Sequence, residues 1–199
     1  MKVVLASANP GKQRELAALL APLGLELLLQ SALGIDSIEE TGSTFLDNAL
    51  LKARHAAQCS GLAALADDSG LEVDALGGAP GVRSARFAGE GASDAENNAL
   101  LLSRLAGVPA PQRGARYRCV LALLRSAWDP TPLIAEGHWE GRIALVAQGT
   151  GGFGYDPLFV PEGRSGTAAQ LTAADKNAIS HRGRALQALL RGLPDVCPQ

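Results

Sequence analysis

A mixed-sheet α/β fold is what this chain of 199 residues predicts, on three observations. Short apolar runs of β character alternate with stretches at helical spacing through the first half, and turn and hairpin signals gather in the second half. No repeat, low-complexity tract or Gly/Ser linker divides the chain, so residues 1–199 are expected to form one domain. Alternating strands and helices suit a parallel sheet, whereas hairpins bring antiparallel neighbours; both together argue for a mixed one.

Lys2 to Ser7 reads as a buried strand. Leu16, Leu19, Leu20 and Leu23 then recur at i, i+3, i+4 and i+7, which makes a helix stopped by Gly24, and Leu25 to Gln30 makes a second strand. A helix from about Thr44 to Cys59 carries the apolar face Phe45, Ala49, Ala53 and Ala56. Ala63 to Ala66 is a short strand ending in two carboxylates, Asp67 and Asp68. Ser93 with Glu96 spells a capping box for a helix through Leu105. Ala115 to Arg125 is strand-like, and Asp129-Pro130-Thr131-Pro132 turns the chain into further strands. The stretch from Thr172, with Ala185, Leu186, Leu189 and Leu190 on one face, is a helix ending near Gly192.

Bulk properties exclude several classes of function. Eighteen basic residues against twenty acidic ones leave a net charge of -2, so no global field draws nucleic acid or a membrane, and an anionic ligand must be met locally. Cys59, Cys119 and Cys197 are far apart and form no CxxC pair, which fits a reducing compartment and argues against structural zinc. The apolar run after Lys2 stops at Asn9-Pro10-Gly11-Lys12, too short for a signal peptide, and no stretch supplies the roughly 18 apolar residues of a membrane span. A cytoplasmic protein is the expectation.

Ligands in open α/β sheets sit outside strand ends, so the chemistry is sought in the loops. Ser7-Ala8-Asn9-Pro10-Gly11-Lys12 offers a hydroxyl, a carboxamide, a flexible backbone and an ammonium beside a helix N-terminus, all suited to phosphate, although the same residues suit an ordinary capped turn. It is not a P-loop, since Gln13 follows the lysine. In Ala66-Asp67-Asp68-Ser69-Gly70 the two acids are neighbours in a strand, so only one easily faces a given cleft. Glu39-Glu40 precedes the helix that carries Lys52. Residues 149–154 spell GxGxxG, the dinucleotide-binding signature of an NAD-dependent oxidoreductase, but Pro157 and a strand-like run follow where that motif must open a helix. The glycines instead let backbone lie close to a flat ligand, with Phe153 and Tyr155 packed against it. Lys176 to Arg182 opens the last helical stretch, and no Ser-His-acid triad is legible. The chain has only four lysines against fourteen arginines, and Lys12, Lys52 and Lys176 lie beside these loops, where a compact point charge suits phosphate or a base carbonyl.

Taken together, SANPGK, EETGSTFLDNALLKA, ADDSGLEVDALGGAPGVRSAR, GTGGFGYDPLF and SHRGRAL resemble, in order and over residues 2–191, the inosine/xanthosine triphosphate pyrophosphatase or Ham1-like family. The resemblance implies a two-lobed α/β fold around a long mixed sheet with flanking helices, an active-site cleft between the lobes, and a homodimer. It implies hydrolysis of ITP, dITP or XTP to monophosphate and pyrophosphate with Mg2+, cleansing the nucleotide pool. Carried onto this chain, Ser7, Ala8, Asn9, Pro10, Gly11, Lys12 and Lys52 would meet the triphosphate. Asp68 would be general base and metal ligand with Ser69 beside it, and Glu40 would assist the metal. Phe153, Gly154, Tyr155, Asp156, Lys176, His181 and Arg182 would hold base and sugar. Ser7 stands where the family usually has threonine, which keeps the hydroxyl. A non-catalytic purine nucleotide-binding module using the same loops is the alternative, and Asp67-Asp68 with Glu40 favours catalysis over it.

Overall fold

The computed structural model describes residues 2–21 and 26–193. One six-stranded sheet has the order β2-β1-β3-β4-β5-β6, formed by Glu26–Leu29, Lys2–Ala6, Ala63–Val73, Gly114–Leu124, Leu133–Ile143 and Phe159–Pro161 respectively. It is mixed, as the sequence predicts: β1 runs parallel to β2 and β3, while β6 runs antiparallel to β5. Five α-helices accompany it among the described residues: α1 (Pro10–Leu20), α2 (Phe45–Ser60), α3 (Asp94–Arg104), α4 (Ala173–Ile179) and α5 (His181–Gly192).

Contacts group the chain into two compact units, Met1–Asp68 with Cys119–Gly137 and Arg182–Gln199, and Ser69–Arg118 with His138–His181. The first is built on β1, whose Val3, Val4, Leu5 and Ala6 are buried without alternation, as befits a parallel strand covered on both faces. Val3 and Leu5 join Leu16, Leu65, Leu121, Ala185 and Leu189 in its core. The core of the second collects Leu71, Leu101, Leu105, Tyr117, Trp139, Leu158 and Phe159. Each such large side chain contributes on the order of 1.5–3 kcal/mol by leaving water.

Two expectations change. The carboxylates Asp67 and Asp68 do not end a short strand: β3 continues through them to Val73, eleven residues in all. Buried carboxylates are tolerated there because cations meet both, and no loop is needed to bring them to water. The expected last helix is two helices, interrupted at Ser180, whose ψ of 163° is extended. Leu23, Gly24 and Leu25, invoked for the end of α1 and the start of β2, lie outside the described residues, as does Cys197.

The capping box at Ser93 is as the sequence reads, and the structure adds caps at Asn9 and Thr44. Asn9 caps α1 with Pro10 in its first turn, and Ser93 and Glu96 form the capping box of α3. At α2 the Thr44 hydroxyl accepts the Asp47 amide at 3.1 Å while the Asp47 carboxylate accepts that of Thr44 at 3.2 Å. Because this cap fixes the start of the helix that carries Lys52, Thr44→Ala is expected to lower the thermal midpoint by about 2 to 4 °C. An unchanged midpoint would show that the cap contributes nothing.

Candidate active site

The first unit holds a cluster built on β3. Strand alternation sends Asp67 and Asp68 to different partners. The Asp68 carboxylate accepts from Lys52 Nζ at 2.6 Å and from the Asn48 amide at 3.4 Å. Asn48 and Lys52 are one helical turn apart on α2, so a single helix face delivers both donors to the two oxygens of one carboxylate. Lys52 also donates to Glu40 at 2.6 Å. Asn48 is fully buried and its own oxygen accepts the Gly42 amide at 2.8 Å. A Cβ on Gly42 would stand 2.5 Å from that oxygen, so only glycine allows the chain after Glu40 to pass this close.

Asp67 turns to a separate set of cations. Lys12 Nζ lies 2.7 Å from its Oδ1, and its Oδ2 accepts from Arg182 Nε at 2.8 Å and from the Cys119 thiol at 3.1 Å. Arg182 donates in addition to Glu15. The phosphate-type loop is thereby anchored: Asn9 Oδ1 accepts the Lys12 amide at 3.1 Å, Ser7 Oγ accepts the Asn9 amide at 3.3 Å, and Gln13 donates to the Ser7 carbonyl at 2.6 Å. The first turn of α1 presents its amides at this loop, where a helix favours an anion.

These environments push the two neighbouring aspartates apart. Burial raises the pKa of Asp68 and Glu40 adds to the rise, against the opposing pull of Lys52 and Lys12. Burial would raise Asp67 too, but Arg182 and Lys12 outweigh it and hold that carboxyl well below the usual range. Lys52 gains what Asp68 lacks: burial alone would lower its pKa, and Asp68 with Glu40 raises it. The two neighbouring carboxyls thus shift in opposite directions, Asp68 upward and Asp67 downward.

The second unit holds another cluster, around Asp156. Its Oδ2 accepts from Lys176 Nζ at 2.5 Å and from the Phe153 amide at 2.9 Å, and its Oδ1 accepts from the Tyr117 hydroxyl at 3.4 Å. Lys176 Nζ also stands 4.7 Å from the centre of the Phe153 ring. A Cβ on Gly152, whose φ is +72°, would meet Asp156 Oδ2 at 2.0 Å, so the glycine run lets the backbone fold onto its own carboxylate. The Gly154 peptide is gripped from α3: its amide donates to Asp94 at 2.6 Å and its carbonyl accepts from Asn98 at 2.8 Å. His181 stacks on Tyr117, the rings 4.6 Å apart and 7° from parallel.

The sequence-predicted residues are therefore found in two clusters. Ser7 to Lys12, Glu40, Lys52 and Asp68 belong to the first, while Ser69, next in β3, is the first residue of the second unit. Phe153 to Asp156, Lys176 and His181 belong to the second. Two expectations need correction. Tyr155 does not lay its ring against a ligand: it is buried in the core and its hydroxyl donates to the Ser84 carbonyl at 2.8 Å, so this residue offers its backbone. Arg182 belongs to the first unit, 1% exposed, with Nε and Nη1 on Asp67 and Glu15. The GxGxxG stretch runs through turns into β6 and opens no helix, which removes the dinucleotide reading. Asn48, Glu15, Asp94 and Asn98 were not singled out from sequence. Only Asn48 carries a signal there, a polar residue four before Lys52 beside the apolar face of α2.

Among the described residues no group of three or more His, Cys, Asp or Glu side chains converges to hold a metal by itself. Glu40 and Asp68, brought together by Lys52, make a two-carboxylate oxygen set. That set suits a hard divalent cation, which prefers oxygen ligands.

Comparison with known proteins follows the same residues. A model of the Ham1 family matches residues 3–192. A dITP/XTP pyrophosphatase of Yersinia pseudotuberculosis serotype I is 58% identical over 195 residues, 98% of this chain and 99% of that protein. One of Shigella flexneri is 59% identical over 192 residues, 96% of this chain and 98% of that protein. The structure of a HAM1 protein from Coxiella burnetii superposes with a TM-score of 0.89 at 48% identity, covering 98% of this chain and 99% of that one.

The lowered pKa of Asp67 fixes the sign of one pH effect. A carboxyl depressed in the folded state contributes its full stability above its unfolded value, near 3.8, and loses it as the pH falls below that toward the folded value. The difference in thermal midpoint between the wild type and Asp67→Asn is expected to hold steady from about pH 5 to 8 and to shrink below about pH 4. A difference that grew on acidification would contradict a paired, ionised Asp67.

Proposed function

The chain belongs to the Ham1 family, and on that premise we propose that it hydrolyses deaminated purine nucleoside triphosphates, dITP and XTP among them, to the monophosphate and pyrophosphate. The observation that carries the reading is the division of partners between adjacent aspartates: Asp68 shares the Lys52 ammonium with Glu40, while Asp67 is bound to the lysine of the phosphate loop. A binding module needs no such division. The whole chain, 1–199, is taken as one pyrophosphohydrolase domain, in keeping with the family match over 3–192.

Cleavage between the α and β phosphates requires an in-line water, a group to take its proton and neutralisation of the departing charge. Asp68 is assigned the water, and Asn48 and Lys52 hold its orientation. Lys12, Lys52, Ser7, Asn9 and the amides at the start of α1 are assigned to the triphosphate. Ala8, Pro10 and Gly11 shape that loop, and Ser69 lies beside Asp68. Glu40 and Asp68 would hold Mg2+, which when bound offsets phosphate charge and makes a coordinated water more acidic.

Base recognition is assigned to the Asp156 cluster. Phe153 and the backbone of Gly154 and Tyr155 supply a flat wall, and Lys176 and His181 supply donors. Arg182, held by Asp67 and Glu15 in the first unit, takes no part in this assignment. Hypoxanthine and xanthine present a carbonyl acceptor at position 6 where adenine presents an amino donor, so a donor placed there loses its partner with ATP. A homodimer completes the reading and rests on the family resemblance alone. Among the described residues no helix is long and apolar enough to cross a membrane.

The test is to incubate the protein with Mg2+ and each of ITP, dITP, XTP, ATP and GTP, measuring pyrophosphate and orthophosphate separately. Equimolar pyrophosphate from the first three is expected; stepwise orthophosphate would overturn the reading. Asp68→Asn should lower kcat roughly 100-fold or more with a near-normal thermal midpoint, the scale of a lost positioned base.

Selectivity has its own check. Lys176→Ala should reduce kcat/KM for ITP at least about 10-fold more than for ATP, because an unpaired donor is worth about 1–3 kcal/mol. Lys12→Ala should depress both alike. Equal losses for Lys176→Ala would remove it from the base.

A further inference from the structure

Asp67 takes no part in the reaction as assigned, yet its surroundings are built in detail. Its carboxylate is wholly enclosed, and three donors from three different elements reach it: Lys12 from α1, Cys119 from β4 and Arg182 from α5. Arg182 passes on to Glu15, and Glu15 lies on α1 three residues after Lys12. The path Lys12, Asp67, Arg182, Glu15 thus leaves α1 and returns to it, closing a ring of charged contacts through β3 and α5.

A ring of this kind is a poor way to gain stability, because apolar residues of the same volume often serve a buried site equally well or better. It is a good way to fix a direction. A lysine side chain has four rotatable bonds and a compact ammonium with three donors. One of those donors is taken by Asp67, in a pair whose lysine end retains 15% exposure while its carboxylate end retains none. The anchor is rigid and enclosed, and the cation it holds is the one beside the phosphate loop.

We propose that Asp67 is a positioning residue for Lys12: backed by Arg182, Cys119 and Glu15, it holds the ammonium in place before the triphosphate arrives, so that the departing pyrophosphate meets a preset charge. The proposal rests on the assignment of Lys12 to the triphosphate. It gives Asp67 a function without placing it on water, metal or substrate.

A double-mutant cycle with ITP as substrate separates positioning from scaffolding. Asp67→Asn alone is expected to lower kcat/KM by about 10-fold or more, and in a Lys12→Ala background the same substitution should change it by less than about twofold, because what it positions is gone. A structural role would reduce activity by the same factor in both backgrounds, and that additivity would overturn the proposal. Should Asp67→Asn fail to fold, Glu15→Gln takes its place, its carboxylate at the outer end of the ring being 13% exposed, with the same non-additive pattern expected. A wild type that releases no pyrophosphate from ITP would overturn the functional assignment itself; an active wild type with additive losses would overturn only the role of Asp67.

Discussion

Two ionised carboxylates side by side in a buried strand are the constraint around which the first unit is arranged. Each would be prohibitively unfavourable in an apolar interior, and like charges on adjacent residues make it worse. The period of a β-strand resolves the conflict by sending Asp67 and Asp68 to different sets of cations. Everything polar nearby follows from that. Lys52 and Asn48 must share one face of α2, Gly42 must be small enough to let the preceding segment reach Asn48, and Lys12 and Arg182 must converge on Asp67 from α1 and α5.

The outcome is asymmetric. Asp67 gathers an ammonium, a guanidinium and a thiol, and is locked as an anion. Asp68 shares one ammonium with Glu40, which leaves it fewer cationic partners than Asp67 has. Adjacent residues of the same type thus acquire opposite properties through their partners, the pattern by which one fold separates an acid or base from a permanent charge.

The second unit repeats the economy with Asp156. One carboxylate ties Lys176, the Phe153 amide and the Tyr117 hydroxyl together, while Asp94 and Asn98 of α3 hold both ends of the Gly154 peptide. A loop rich in glycine would be mobile without such ties, because each glycine has extra conformations to lose. Bound in this way, it can present a flat backbone and one aromatic ring in a fixed attitude. Each of the three lysines beside the candidate loops is matched to an acid of one of the same motifs: Lys12 to Asp67, Lys52 to Glu40 and Asp68, Lys176 to Asp156.

What the sequence determined by itself was local. Caps at Asn9, Thr44 and Ser93, the unbroken apolar run of β1, and the mixed character of the sheet all follow from interactions spanning a few residues or from simple periodicity. The motifs also marked the segments whose polar residues gather in the two clusters. Tertiary structure decided what each polar side chain does, because hydrogen-bond partners far apart in sequence leave no periodic trace. Arg182 and Asp67 are 115 residues apart, and nothing near either announces the other. The length of β3 was missed for the same reason: two aspartates look like the end of a strand until distant lysines and an arginine compensate their burial. Tyr155 went to the core instead of a ligand because only the folded chain shows that the Ser84 carbonyl is within reach of its hydroxyl.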